Sequence, residues 1–218
     1  MMKKRLWSRW ILALAVVWPF MAAAHDRVRE KENFDFDWKF ILNADDQANA
    51  GMQVSETGWQ DVQLPHDWSI SQNFDPKLSG SNGHLPGGIG WYRKMFRVDK
   101  KDKGRRIAVL FDGIYSRSDV YVNGQHLGFR PYGFCYQEYD LTPYLNYGAE
   151  NVLAVRVNNP LEHDSVARWY TGAGIYRHAW LVKTAEVHVA SYGTYVTTPV
   201  VTAERAEVRV RTSVANEA

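Results

Sequence analysis

Apolar and polar residues alternate along this chain in short runs, separated by turns rich in glycine, proline and asparagine. A period of two is the pattern of half-buried β-strands, and almost no stretch carries a helical period. Phe34, Phe36, Trp38 and Phe40 alternate with Asp35, Asp37 and Lys39, which predicts a first strand with one buried aromatic face. Asp45 to Gly58 is polar and is expected as a loop. Trp59 to Leu64 then runs into Pro65-His66-Asp67-Trp68, where Pro65 biases Leu64 toward an extended backbone. His66 and Asp67 could suggest a catalytic dyad. Adjacent residues of an extended segment point to opposite sides, however, so a structural role is expected for both.

Residues 69–90 are crowded with glycine, proline, serine and asparagine and are expected as a long loop. Trp91 to Val98 resumes as a strand, Lys100 to Arg105 is a charged turn, and Ile107, Val109 and Phe111 form one face of the next strand. Val120 to Val122 and Gln125 to Phe129 flank Asn123-Gly124, a pair that accepts the positive φ angles of a two-residue hairpin turn. Thr142-Pro143 predicts a helix cap with proline in the first helical position, hence one short turn over Pro143 to Leu145. Leu153, Val155 and Val157 define another strand, followed by a loop from Asn158 to Ala167. Ile175 to Val182 alternates again and is expected as a strand.

Many short strands between such turns indicate an all-β sandwich. One complete domain is expected over 34–189, preceded by a flexible lead-in at 25–33. Residues 192–200 and 206–214 predict two strands of a new unit, 190–218. Two strands alone are marginal in water, so this end is expected to be disordered or aggregation-prone, with unpaired edges.

Composition changes the picture mainly at the start. Lys3, Lys4, Arg5 and Arg9 precede an apolar run from Trp10 to Phe20, and Ala22-Ala23-Ala24 offers a small-residue cleavage site. This predicts a secretory signal over 1–24, cleaved before His25, and a periplasmic or secreted protein. The apolar run is too short to span a bilayer as a helix. The whole chain has 26 basic and 24 acidic residues. The leader holds four of the basic residues and no acidic one, so the mature chain is left near −2 and a nucleic-acid partner loses its support. Cys135 is the single cysteine, which excludes an intrachain disulfide, and it is expected as a packed, inert thiol. No metal or cofactor site is indicated, and the acidic residues are expected on solvated strand faces and turns.

Between Arg168 and Arg177 stands Arg-Trp-Tyr-Thr-Gly-Ala-Gly-Ile-Tyr-Arg, with two glycines inside a bulky run. Trp169 and Tyr170 either pack into the core beside a tight turn or face a ligand. Taken in order with Leu64–Trp68, Gly90–Lys94, Phe111–Gly113, Val120–Gly124, Tyr139–Thr142 and Val157–Asn159, this stretch resembles the N-terminal sugar-binding domain of glycoside hydrolase family 2, the family of β-galactosidases and β-glucuronidases. The resemblance implies a jelly-roll sandwich, then an immunoglobulin-like domain, then a barrel that carries catalysis with two glutamates. None of the acidic residues here matches those catalytic motifs, so no catalytic residue is assigned. It further implies a carbohydrate partner of the β-galactoside type, with Asp164, Arg168 and Trp169 as the sugar-contacting candidates. Some β-galactosidases have an aspartate directly before this tryptophan, where this chain has Arg168. They also place an asparagine where this chain has Gly87-Gly88. The leading functional expectation is the N-terminal part of an exported glycoside hydrolase. A stand-alone carbohydrate-binding module and a non-functional gene remnant are the alternatives.

Overall fold

The structure, a computed structural model, describes residues 29–42, 44–160 and 169–217. The leader expected at 1–24 lies outside them. Two compact units are present, one over residues 31–183 and one that contains the strands after Thr184.

The first unit is all-β. A six-stranded sheet runs β3 (Gln60–Val62), β2 (Trp38–Leu42), β4 (Gly88–Arg97), β9 (Glu150–Asn159), β6 (Ser118–Val122) and β7 (Gln125–Arg130). A four-stranded sheet runs β1 (Glu30–Asn33), β10 (Ala179–Thr184), β5 (Arg106–Phe111) and β8 (Gln137–Asp140). The side chains between the sheets form one core built from the alternation seen in sequence. Trp38, Phe40, Tyr92, Phe96, Val120, Val122, Val155 and Val157 meet Ile107, Val109, Phe111 and Leu181. Trp38 packs edge-on against Tyr92, with ring centroids 6.4 Å apart, and against Phe34 at 6.3 Å. Each large apolar side chain buried in this way contributes about 1.5–3 kcal/mol.

Several sequence expectations hold. Asn123 (φ 51°) and Gly124 (φ 84°) turn β6 into β7, and the Asn123 side chain also accepts the Val152 N–H at 2.9 Å. The 3-10 turn at Thr142–Tyr144 is present, but its cap, Leu141, lies one residue earlier than expected. The Asp140 carboxylate accepts the Thr142 N–H, while the Thr142 hydroxyl meets Asp140 and the Ile107 carbonyl.

Others are corrected. The alternation from Phe34 to Phe40 does not make a single strand. Asp37 adopts φ 56°, which breaks the run, so Phe36 is exposed while Phe34, Trp38 and Phe40 reach the core. Glu30–Asn33, expected within the flexible lead-in, is strand β1. The strand expected from Ile175 begins at Ala179, because Ile175 is held in a different set of contacts described below. Acidic residues are not confined to solvent. Asp35 is buried and accepts hydrogen bonds from Ala179 N–H, His178 and Asn33, whereas Asp102 is buried against Arg105 and Lys183. Cys135 is half-exposed rather than packed.

In the second unit the two expected strands are present and paired with each other. Its strands β11 (Val187–Val201) and β12 (Ala206–Asn216) pair with each other as a long antiparallel hairpin, from Val187 opposite Asn216 to Val201 opposite Ala206. Pairing satisfies one backbone edge of each strand. The side chains remain outside any core, and Tyr195, Val196, Val208, Val210 and Val214 are all exposed.

Candidate functional site

Between the two sheets, the glycine-rich stretch is threaded between two other extended segments. On one side His66 N–H donates to the Ile175 carbonyl at 2.8 Å, and Trp68 N–H donates to the Ala173 carbonyl at 3.1 Å. On the other side Gly174 exchanges two backbone hydrogen bonds with Tyr115, at 2.8 and 2.9 Å. Residues 173–175 are therefore the middle of a short three-segment bridge, and they leave the regular strand pattern because their backbone groups are used here.

Both glycines are required by this geometry. Gly172 has φ +72°, and a Cβ there would lie 2.7 Å from the Asp67 Oδ2. Gly174 has φ +117°, and its Cβ would lie 2.3 Å from the Tyr92 hydroxyl and 2.8 Å from the His66 carbonyl oxygen. A side chain at either position would push the bridge apart.

His66 and Asp67 point to opposite sides of their segment and both act in the bridge. The Tyr92 hydroxyl oxygen accepts the Ile175 backbone N–H and lies 2.8 Å from the His66 Nδ1. Burial lowers the His66 pKa, against a smaller opposing effect of Asp67, and so favours the neutral imidazole. Asp67 faces the other way. Its Oδ1 accepts the N–H groups of Ser69 and Ala173, each at 2.9 Å, and its Oδ2 accepts the Tyr170 hydroxyl. With three donors on one carboxylate, Asp67 is a fixed anchor and is not set up as a general base.

The outer surface of this corner is formed by Trp169, Tyr170, Thr171 and Asn82. Trp169 is 61% exposed and Tyr170 40% exposed, so neither belongs to the sandwich core. Burial and the Asp67 carboxylate both hold the Tyr170 phenol far above its ordinary pKa, which keeps it protonated and fixed as a donor. The Thr171 N–H and hydroxyl both reach the Asn82 Oδ1, at 3.4 and 3.3 Å, tying the long 69–90 loop to the stretch. Behind them the Asn159 side-chain amide donates to the Gly172 carbonyl at 3.2 Å. The exposed Trp169 thus directly precedes Tyr170 and Thr171, whose hydroxyls are held by Asp67 and Asn82.

Of the three residues expected at the site, the structure describes Trp169 and places it on this surface; Asp164 and Arg168 lie outside the described residues. Sequence inspection missed Asn82, which sits in a loop with no periodic signal, and the anchoring use of Asp67. Asp67 stands two residues before the Ser69 N–H that it accepts, a local turn signal that was available. Among the described residues no cluster of three or more histidine, cysteine or acidic side chains could hold a metal ion, and no helix is long and apolar enough to cross a membrane.

The sequence profile of glycosyl hydrolases family 2, sugar binding domain, matches residues 32–185. A β-galactosidase of Bacteroides ovatus is 47% identical over 192 residues, which is 87% of this chain and 22% of that protein. A putative β-glucuronidase of Formosa agariphila is 36% identical over 186 residues, covering 84% of this chain and 17% of that protein. Among solved structures, a β-glycosidase from Bacteroides vulgatus superposes with a TM-score of 0.80 at 34% identity, over 87% of this chain and 24% of that one. A family 2 glycosyl hydrolase from Bacteroides cellulosilyticus superposes with a TM-score of 0.76 at 41% identity, over 86% of this chain and 25% of that one. The chain spans about a quarter or less of the length of these relatives. The glycine-rich corner, the two-sheet sandwich around it and the profile over residues 32–185 together establish that this chain belongs to glycoside hydrolase family 2, as its N-terminal sugar-binding domain.

Proposed function

We propose that this chain is the sugar-contacting N-terminal part of an exported glycoside hydrolase of the β-galactosidase type, working with the catalytic barrel of the same enzyme. The observation that carries the proposal is the exposed Trp169–Tyr170 pair that precedes the bridge, with the Tyr170 hydroxyl held on Asp67. Sugar recognition needs an aromatic face for the C–H surface of the ring and fixed polar groups for its hydroxyls. Trp169 supplies the first, whereas the Tyr170–Asp67 pair and Asn82 supply the second. Asp164 and Arg168 belong to the same proposed contact set through their place in the sequence, five residues and one residue before Trp169.

Titration of the purified chain with methyl β-galactoside and methyl β-glucuronide tests this. The galactoside is expected to bind more tightly, and Trp169→Ala is expected to weaken it about tenfold, the loss of one stacked ring. Tyr170→Phe is expected to weaken it less, since it removes one hydroxyl. Absence of binding to both sugars at millimolar concentration, or binding indifferent to Trp169→Ala, would overturn the assignment.

Export is proposed on the basic start, apolar run and Ala22-Ala23-Ala24. Intact mass of protein recovered from the periplasm or medium is expected to show a chain beginning at His25. A chain still beginning at Met1 would refute it.

A further inference from the structure

The sequence contains two Asn-Gly dipeptides, Asn82-Gly83 and Asn123-Gly124, and the fold holds them differently. Asn82 ends the 3-10 turn Gly80–Asn82, in which no residue is buried, and Gly83 follows with φ 66° and ψ 24°. The turn is closed by the Asn82 N–H on the Ser79 carbonyl and the Gly83 N–H on the Gly80 carbonyl, both at 3.1 Å. The Asn82 Oδ1 accepts the Thr171 N–H and hydroxyl at 3.4 and 3.3 Å, both long contacts. At the hairpin, the Asn123 Nδ2 donates to the Tyr144 carbonyl and to the Asn151 Oδ1, each at 2.8 Å. Its Oδ1 accepts the Val152 N–H at 2.9 Å, and its own N–H donates to the Val152 carbonyl at 2.9 Å. Asn151, its side-chain partner, is fully buried.

We propose that Asn82 is a site of spontaneous deamidation in the folded protein, whereas the fold protects Asn123. The Gly83 nitrogen attacks the Asn82 side-chain carbonyl carbon, so an N–Cγ bond forms and the Cγ–Nδ2 bond breaks. The Nδ2 leaves as ammonia, taking the Gly83 amide proton with it. Water then opens the cyclic imide. Its attack at Cγ leaves aspartate, and its attack at the backbone carbonyl carbon leaves isoaspartate. Three features carry the inference. Gly83 has no Cβ, and no atom lies within 4 Å of the position one would take, so no side chain hinders the approach of its nitrogen. The turn has to open first, and a single exposed 3-10 turn has few buried contacts to oppose opening. The carboxamide has to leave its partners as well. Those at Asn82 are long, whereas those at Asn123 have the length of well-formed hydrogen bonds. The proposal is independent of the sugar-contacting reading. It has a consequence for the same corner, because the product sets a carboxylate opposite Thr171 and adds negative charge there as the protein ages.

The test incubates the purified chain in mildly alkaline buffer made with heavy-oxygen water, then digests it in ordinary water for peptide mass spectrometry. The heavy oxygen marks residues converted during the incubation. Asn82 is expected to convert at least about tenfold faster than Asn123, equal to about 1.4 kcal/mol of difference in opening cost. In concentrated urea the two rates should converge, since the dipeptides are the same and the fold alone separates them. Gly83→Ala should slow conversion at position 82 and leave position 123 unchanged. Equal rates in the folded chain, or a faster Asn123, would overturn the proposal. An Asn82 that stays intact in the folded chain and reacts in urea would do the same, because the turn would then be protective. A rate difference that persists in urea would belong to the flanking residues and refute the protection of Asn123 by the fold.

Discussion

Gly174→Ala is expected to destabilise the domain by about 2–5 kcal/mol. Overpacking a filled site costs about 1–3 kcal/mol, and a left-handed backbone at a residue with a Cβ adds about 1–2 kcal/mol. The added methyl would meet the Tyr92 hydroxyl, the His66 carbonyl oxygen and the Trp68 ring, and the first two cannot both move without breaking the Tyr92–His66–Ile175 contacts. For a domain of this size the melting temperature should fall by about 5–15 °C. Gly104→Ala is the control. Gly104 also has positive φ, +87°, but no atom lies within 4 Å of its Cβ position, so only the backbone term applies. Thermal unfolding of both variants separates packing from backbone strain. Equal losses in the two would show that the bridge yields easily, and the fixed placement of Tyr170 and Asp67 would lose its basis.

Arg93→Met is the second large expected effect, about 3–5 kcal/mol, the cost of breaking a buried charged network. Arg93 is 1% exposed on the face of β4 that points away from the core. Its guanidinium donates to the carbonyls of Asn49 and Gly51 at 2.6 and 2.7 Å and pairs with Glu56 at 3.3 Å. These contacts hold the 44–58 loop, through its Ala50, against Trp91 and Ala154, a second small apolar cluster outside the main core. Methionine would fill the space but leave those carbonyls and the Glu56 carboxylate without their donor. The loop should detach, exposing Trp91. A red shift in tryptophan emission and faster amide exchange over residues 46–58 are expected, with Arg93→Lys intermediate because one ammonium cannot serve all the acceptors. A methionine variant that melts like the parent, with exchange unchanged, would show that the loop is held by its apolar contacts alone.

These two residues also mark where sequence information ended. Alternation alone places Arg93 with Trp91 on one face of a strand and Tyr92 with Phe96 on the other. It does not reveal that a polar loop 37 to 44 residues earlier covers that outer face. Without the loop, Arg93 would be read as a solvated charge. Phe36 shows the reverse case, an aromatic in perfect alternation that the φ 56° turn at Asp37 turns out into water. Local pattern reports what a strand would bury if it ran straight, and it carries no information about a single residue that breaks it.

What the sequence by itself determined is the all-β class, most strand positions, the Asn123-Gly124 hairpin and the family, because these rest on period-two burial and on local turn chemistry. It also singled out the stretch from Arg168 to Arg177 through its two glycines. Only the tertiary structure placed Trp169 and Tyr170 outside the core. It alone brought Asp67 and Asn82 against Tyr170 and Thr171, partners 103 and 89 residues away along the chain. The physical reason is that backbone pairing between His66–Trp68, residues 173–175 and Tyr115 is long-range. Such pairing depends on how the two sheets close around Gly172 and Gly174, and no local spacing in the chain encodes it.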